Sequence, residues 1–278
     1  MQQRAHSLEQ EATNAKEELA KTHQRARSHV KEGSGAEIAV DAPVFTPTPL
    51  LVMPSRPTDD SNAQFNLGLM YHKGQDVAQN DTKAVKWYCK AADQNHADAQ
   101  LYVGGMYRNG QGVPPNDTEA MKWYCKAADQ NNADAQFNLG WMYDNGQGVP
   151  QNYELALNWY REAAREKDGL AMWNVGHLSE AGLGTAQNFA EASRWYRQAA
   201  ERGTALGMYS LGKLYQAGYV SERSDAVEAY VWYFVAALRF TEEDAAEAED
   251  NRRLLQEVAA RLTAEQRAAG DEKARQLD

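Results

Sequence analysis

Apolar side chains recur three and four residues apart along most of the chain, and the pattern itself recurs every thirty-six residues. Within one interval Leu139 and Tyr143 stand four apart, and Ala156, Tyr160 and Ala164 keep the same spacing. Residues four apart share one face of a helix. The interval therefore predicts a helix A over Ala135–Tyr143 and a helix B over Tyr153–Ala164. The stretch between them, 144–152, is rich in glycine and asparagine and reads as a loop. Gly146 and Gly148 supply the positive φ that stops helix A. Asp81, Asp117 and their equivalents stand where helix B needs a cap.

Three series keep their phase through the chain. One is Gly68, Gly104, Gly140, Gly176 and Gly212; another is Gly74, Gly110, Gly146, Gly182 and Gly218. The third is Trp87, Trp123, Trp159 and Trp195, with Trp232 one residue late, and it is assigned to the core. A fixed period of this length marks a solenoid of stacked helix pairs, in which each unit buries its core against its neighbours. Five such units span residues 61–240, which overrides the one or two globular domains that length alone suggests.

The flanks read differently. Over residues 2–32, Ala5, Leu8, Ala12, Ala15, Leu19, Thr22 and Ala26 alternate spacings of three and four. That is an a/d seam on a polar N-terminal helix, short and mostly alanine. A solvated single helix and a weak coiled coil giving self-association both fit it. Residues 33–60 hold five of the eight prolines and read as an extended linker. Within it Val44, Phe45 and 50–53 form an apolar strip expected to dock on the first repeats. Past Phe240, Thr241 and Thr263 each open a capping box, and Leu254, Leu255, Val258 and Leu262 share a face. Residues 241–278 are thus expected to form C-terminal capping helices.

Charge narrows the partners. The net charge is −10, which excludes nucleic acid, whose binding needs a basic stripe. The acid is concentrated: residues 241–278 carry eleven Asp/Glu against six Lys/Arg, whereas the repeats carry nineteen against sixteen. Cys89 and Cys125 lie one repeat apart. Equivalent positions of packed helices are about 8–10 Å apart, too far for a disulfide's roughly 7 Å Cα limit. Both are therefore read as free thiols, as in a reducing compartment. No stretch reaches the ~18 apolar residues of a membrane span, and the N-terminus is too polar for a signal peptide. Cytoplasm is the expected location.

The pattern Ala-x-x-x-Leu-Gly-x-x-Tyr-x-x-Gly-x-Gly-Val, followed by Lys/Glu-Ala-x-x-Trp-Tyr-x-x-Ala-Ala, resembles the Sel-1-like repeat, a relative of the tetratricopeptide repeat. The first three copies match best. The fourth has Ser179 where the others carry Tyr71, Tyr107, Tyr143 and Tyr215; the fifth has Val220 for the second loop glycine. With this resemblance the expected fold is all-α: a right-handed α/α solenoid of five 36-residue helix-turn-helix repeats. An N-terminal helix and a C-terminal capping helical tail flank it.

Catalytic patterns are missing from the chain. It has no phosphate-binding loop with Lys-Ser/Thr, no Cys-x-x-Cys and no His-Glu-x-x-His, and its six histidines form no ligand spacing. No cofactor and no metal are expected, and the chain is not expected to be an enzyme. Asn80-Asp-Thr82 and Asn116-Asp-Thr118 are glycosylation acceptors by pattern. One cysteine-rich bacterial branch of the resembled family is β-lactamase-like, but its cysteine pair within each repeat is absent here.

Residues that break the repeat carry the functional signal. The position after the helix-A glycine reads Leu69, Gly105, Trp141, His177, Lys213, and three positions later the series reads His72, Arg108, Asp144, Glu180, Gln216. By resemblance to tetratricopeptide arrays, this stripe faces the concave groove. Trp and Arg dominate interface hot spots, so Leu69, His72, Arg108, Trp141, Asp144, His177 and Glu180 are candidate partner-binding residues. Trp173 joins them, although it aligns with the large apolar Phe65, Leu101, Phe137 and Tyr209 and also reads as packing. Asn66, Asn138 and Asn174 recur on the same helices, where they suit either a peptide backbone or the adjacent turn. The expected function is a scaffold or adaptor that holds a peptide segment or helix of another protein. The alternatives are an enzyme with its site near Asp144, His177 and Glu180, and a structural oligomeriser acting through residues 2–32.

Overall fold

The computed structural model describes residues 60–220 and 225–277. The helix expected over 2–32, with its coiled-coil seam, and the apolar strip of the linker lie outside the described residues. Among the described residues the regular elements are helices throughout. They are α1 (Ser61–Lys73), α2 (Asp81–Asp93), α3 (Ala97–Asn109), α4 (Asp117–Ala128), α5 (Ala133–Asn145) and α6 (Tyr153–Arg165). They continue as α7 (Gly169–Ala181), α8 (Phe189–Glu201), α9 (Ala205–Ala217), α10 (Ala226–Arg239), α11 (Ala245–Ala259) and α12 (Ala264–Leu277). Odd helices up to α9 are helix A of a repeat and even helices up to α10 are helix B. Two compact units divide the chain, with the boundary between Ala135 and Gln136.

Each A-to-B connection is closed by the same local chemistry. Helix A ends on a glycine in the left-handed region, from Gly146 at φ 65° to Gly218 at φ 79°. Such a φ is disfavoured for any residue with a Cβ. Helix B starts on an asparagine cap: Asn80, Asn116, Asn152 and Asn188 accept a hydrogen bond from the backbone N–H three residues on, at 2.9–3.0 Å. Asp225 does so in the fifth repeat, at 3.0 Å. The cap's own N–H donates back to the carbonyl of Tyr71, Tyr107, Tyr143 or Ser179 at 2.8 Å, and to that of Tyr215 at 3.1 Å. Asp81 and Asp117 are thus not the caps. They are the first helical residues, where a carboxylate still favours the positive end of the helix dipole. The Asn-Asp-Thr glycosylation pattern is accounted for by this capping turn.

The core is narrow. Helix B contributes alanines and one tyrosine per repeat: Tyr88, Tyr124, Tyr160, Tyr196 and Tyr233 are all at most 1% exposed. Helix A contributes Val103 and Met106, Leu139 and Met142, Val175 and Leu178, and Leu211 and Leu214. Burying an aromatic of this size contributes on the order of 2–3 kcal/mol. The tryptophan series assigned to the core does not occupy it. Trp87, Trp123, Trp159 and Trp195 are half-buried, and only Trp232 is buried. Lys90 lies 4.1 Å over the Trp87 ring and Lys126 lies 3.7 Å over Trp123. Lysine stems thus cover Trp87 and Trp123, while Trp123 and Trp195 also pack against the edge of the core.

Glycine lets the tyrosine in. A Cβ built on Gly104 would stand 2.6 Å from Tyr124 Cε1, and one on Gly176 would stand 2.7 Å from Tyr196 Cδ1. Gly68, Gly140 and Gly212 face Tyr88, Tyr160 and Tyr233 at 2.5–2.7 Å in the same way. Those distances are inside van der Waals contact, so a side chain at this position displaces the ring.

In the second unit, α11 and α12 cover α10. Val258 and Ala274 are buried in one cluster with Tyr230, Val231, Trp232, Tyr233 and Val235, and Leu254, Leu255 and Leu262 pack against it. Thr241 and Asp244 form a reciprocal capping box, but it opens a 3-10 turn, Glu242–Asp244, that leads into α11 at Ala245. Thr263 and Gln266 exchange bonds at 3.0 and 3.2 Å at the start of α12, as the sequence predicts.

Two outcomes follow from this packing. Gly104→Ala should lower unfolding stability by about 1–3 kcal/mol through overpacking. Gly105→Ala, whose added Cβ meets nothing nearer than Tyr124 Oη at 3.8 Å, should be neutral or gain up to about 1 kcal/mol in helix propensity. Urea unfolding of the two variants measures the contrast, and equal losses would refute the glycine–tyrosine argument. Deleting residues 241–278 should raise amide exchange in 205–239 first while exchange in 61–135 stays slow, because solenoid stability is a sum of neighbouring interfaces. A truncated chain that melts and exchanges like the full one would mean the tail does not hold the last repeat.

Candidate functional site

The changeable stripe lies on helix A, and its two positions have different environments. The second position sits beside the hydroxyl of the buried tyrosine. Tyr160 donates to Asp144 Oδ2 at 3.4 Å, Tyr196 to Glu180 Oε2 at 2.5 Å, and Tyr233 to Gln216 Oε1 at 2.7 Å. In the first unit the His72 ring meets the Tyr88 ring edge-on, with centroids 6.4 Å apart, and His72 Nδ1 lies 3.0 Å from Asp81 Oδ1. Burial pushes the Tyr124 hydroxyl up, and the nearby Arg108 guanidinium opposes that shift. Within the second unit Asp144, Glu180 and Gln216 therefore each accept from the tyrosine of their own repeat, and within the first His72 and Arg108 lie beside Tyr88 and Tyr124.

Burial sets the state of the two carboxyls. Asp144 is only 3% exposed. Desolvation raises its carboxyl to about 6, a shift the Tyr160 hydrogen bond only partly offsets. Its Oδ1 is buried with no hydrogen-bond partner among the described residues. Glu180 is also pushed up by burial, against the bond from Tyr196 and the positive charge of Lys213. Asp144 thus shapes the wall of the stripe and does not present a free carboxylate to solvent.

The first position is more open. Leu69 and Trp141 are half-buried, each packed against a core cluster that its repeat shares with the next. In the second unit Trp173, His177 and Glu180 follow one another at spacings of four and three, which aligns them on one face. The Trp173 and His177 rings stack with centroids 5.1 Å apart and planes 5° apart. Trp173 Nε1 donates to Ser210 Oγ of the next repeat at 3.0 Å, so the indole is held at its polar edge. The next helix A repeats the arrangement, with Lys213 exposed above the Tyr209 ring at 5.3 Å. Asn174 donates to the Leu170 carbonyl of its own helix at 3.0 Å.

Two recurrent features fall outside the residues singled out from the sequence. One is the role of the tyrosine series, which follows the tryptophan series by one residue. The other is a glutamine pair in the first unit. Gln94 donates to Gln64 Oε1 at 2.9 Å and Gln130 to Gln100 Oε1 at 2.7 Å, and Gln64 and Gln100 are buried. Both pairs were visible as a thirty-residue spacing that repeats once.

Among the described residues no group of three or more His, Cys, Asp or Glu is placed to hold a metal ion, and no helix is long and apolar enough to cross a membrane. Cys89 and Cys125 are free and half-buried, and burial raises both thiols.

Helix pairs of this length with a glycine–tyrosine contact in every copy coincide with one known repeat. A family model described as the Sel1 repeat matches residues 61–96, 97–132, 133–168, 169–204 and 205–239. The chain belongs to the Sel1 repeat family. Its fold is accordingly an all-α solenoid. It is similar to a Sel1 repeat protein from Oxalobacter formigenes, with 34% identity and a TM-score of 0.65 over 69% of this chain and 79% of that one. It is also similar to c5321, a protective antigen present in uropathogenic Escherichia coli strains and displaying an SLR fold. The identity there is 28% and the TM-score 0.67, over 78% of this chain and 46% of that one. A sel1-like repeat-containing protein of Acanthamoeba polyphaga mimivirus, L18, is 54% identical over 39 residues, which are 14% of this chain and 7% of that protein. This Sel1 repeat chain thus spans less than half of two of these three relatives.

Asp144 supplies a pH test within the Sel1 framework. A carboxyl raised to about 6 in the fold, from an ordinary 3.8, binds its proton more tightly folded than unfolded. The stability it contributes is therefore full below the unfolded value and lost as pH rises through about 6. Asp144→Asn keeps the acceptor for Tyr160 and cannot ionise. Its stability relative to wild type should rise by about 2–3 kcal/mol between pH 4 and pH 7. Thermal unfolding across that range measures it, and a difference that does not change with pH would exclude the ionisation.

Proposed function

We propose that this chain is a protein-interaction scaffold whose helix-A stripes hold a peptide segment or a helix of another protein. The observation that carries the reading is the aromatic platform of the second unit. Trp173 is braced by Ser210 at one edge and by His177 on one face, it packs against the core, and part of it is left open. A rigid aromatic with its polar atom already satisfied loses little entropy on contact, which is the property of a binding anchor. Trp141, half-buried at the first stripe position, is the second anchor. Exposed Lys213 and the rim of Glu180 set the polarity of the segment that fits. On the first unit Leu69, His72 and Arg108 occupy the same stripe positions and serve the same role.

Asp144 and Glu180 are read as structural partners of tyrosine and not as an acid–base pair. Each carboxyl is engaged by a buried hydroxyl, and burial accounts for its raised value. Solenoids commonly offer extended surfaces of this kind to protein partners. The net charge of −10 argues against a nucleic acid on the stripe.

The test is selection of a peptide ligand from a displayed library, followed by affinity measurement on single variants. Trp141→Ala and Trp173→Ala should each weaken the selected peptide by about tenfold or more, the effect of losing a hot-spot aromatic. Helicity by circular dichroism should be retained. Retained affinity in both variants would show that the stripe is not where the partner binds.

A further inference from the structure

A cleft lies along α2, and none of the stripe residues lines it. The cleft, of about 530 Å³, is lined by α2 from Thr82 to Lys90, by Tyr107 at the end of α3, and by Gly112 and Val113 in the loop that follows. Its volume falls within the ~300–1,000 Å³ of small-ligand sites, room for one large side chain and its backbone. The floor is apolar: Val85, Trp87, Tyr107 and Val113, with the Cys89 thiol beside them.

The lining side chains include three lysines, Lys83, Lys86 and Lys90, and no carboxylate. All three are exposed. Lys83 lies 5.0 Å over the Tyr71 ring and Lys90 lies 4.1 Å over the Trp87 ring. None of the three makes an ion pair among the described residues. Asp81, the acid at the start of α2, is engaged by His72 at 3.0 Å.

The repeat itself does not demand these lysines. The same three positions read Glu119, Lys122 and Lys126 in the second repeat, then Leu155, Asn158 and Glu162, then Glu191, Arg194 and Gln198. A position that the architecture fixes keeps its residue, as Tyr88 and its equivalents do. The triple lysine is a departure confined to the first repeat, and it coincides with an apolar cleft in a chain of net charge −10.

We infer that this cleft binds an acidic linear segment of another protein, with one large apolar side chain of that segment seated between Val85, Trp87, Tyr107 and Val113. Flanking carboxylates lie along Lys83, Lys86 and Lys90. The apolar contact provides affinity and the charges provide on-rate and register.

A short fluorescein-labelled peptide with a central phenylalanine and acidic residues on both sides tests this on the full chain by anisotropy. Saturable binding that weakens with added salt is expected. Lys86→Glu should weaken it by about fivefold or more. Arg194→Glu, the reversal at the same repeat position two repeats further on from Lys122, should leave it unchanged. Replacing the phenylalanine of the probe by alanine should weaken binding by a similar factor. In a Cys125→Ser background the peptide should slow alkylation of Cys89. Absence of saturable binding, or equal effects of Lys86→Glu and Arg194→Glu, overturns the proposal. So does an alanine probe that binds as well as the phenylalanine one, since charge alone is then at work. Binding lost in Trp141→Ala and kept in Lys86→Glu places the peptide on the stripe and overturns the cleft while leaving the scaffold reading intact. Tighter binding of phosphatidylserine vesicles or of a short oligonucleotide through the same lysines would replace the acidic segment with another ligand class.

Discussion

The contact between the helix-A glycine and the helix-B tyrosine constrains everything else in the repeat. With no side chain at Gly104, Gly140 or Gly176, the tyrosine ring lies flat against the neighbouring helix backbone and is fully buried. A core made otherwise of alanine and a few aliphatics depends on that one ring for most of its large apolar surface. The ring's position also fixes where its hydroxyl emerges. It emerges at the helix-A residue four past the glycine, the second stripe position. Burying a hydroxyl without a partner is costly, and in the third to fifth repeats this position supplies the acceptor. Asp144, Glu180 and Gln216 are three different answers to that need, whereas His72 turns to Asp81 and the Tyr88 hydroxyl has no hydrogen-bond partner among the described residues.

This explains why the repeat was legible in the sequence while the role of the stripe was not. Helix order, the glycine stops and the tail's capping boxes all follow from local chemistry, and a single sequence displays local chemistry. Burial does not. Trp87 and Tyr88 are equally periodic, and adjacent residues on a helix point about 100° apart, so period alone leaves open which of the two faces inward. The larger and more apolar residue was the natural choice, and the glycine opposite makes room for the smaller ring. The cap was displaced by one residue for a similar reason. Asn80 and Asp81 are both good caps by composition, and the backbone bond from Asn80 N–H to the Tyr71 carbonyl selects the first. Variation at Asp144 and Glu180 reads as functional in sequence, yet part of it is latitude in how a tyrosine is satisfied.

Separating latitude from function therefore needs the environment as well as the pattern. At the second stripe position the environment absorbs the variation. At the first, Trp141 and His177 are held by packing and stacking with part of the ring left open. On α2 the contrast is sharper. Lys83, Lys86 and Lys90 vary between repeats, satisfy no buried group and surround an apolar cleft. Two surfaces thus escape the architecture, a cationic one in the first repeat and an aromatic one in the third and fourth.

The tail ends the solenoid by the same rule that builds it. Without a following repeat, the tyrosines of the last one would face solvent on one side. Tyr209 donates to Asp250 Oδ2 at 2.5 Å and Tyr230 to Asp271 Oδ1 at 2.7 Å. Asn251, fully buried, donates to the Tyr233 carbonyl at 2.9 Å. Burial and the aspartate push the Tyr230 hydroxyl up to about 12. For Asp250, burial works upward, yet the bonds from Tyr209 and Arg253 win and hold its carboxyl below the usual range. The contrast with Asp144 is instructive. Both carboxyls accept from a tyrosine, but only Asp250 also has an arginine, and only Asp250 remains comfortably ionised. Acid gathered in residues 241–278 is thus partly structural. It supplies acceptors to the exposed end of the stack, and its surplus charge keeps that end in water.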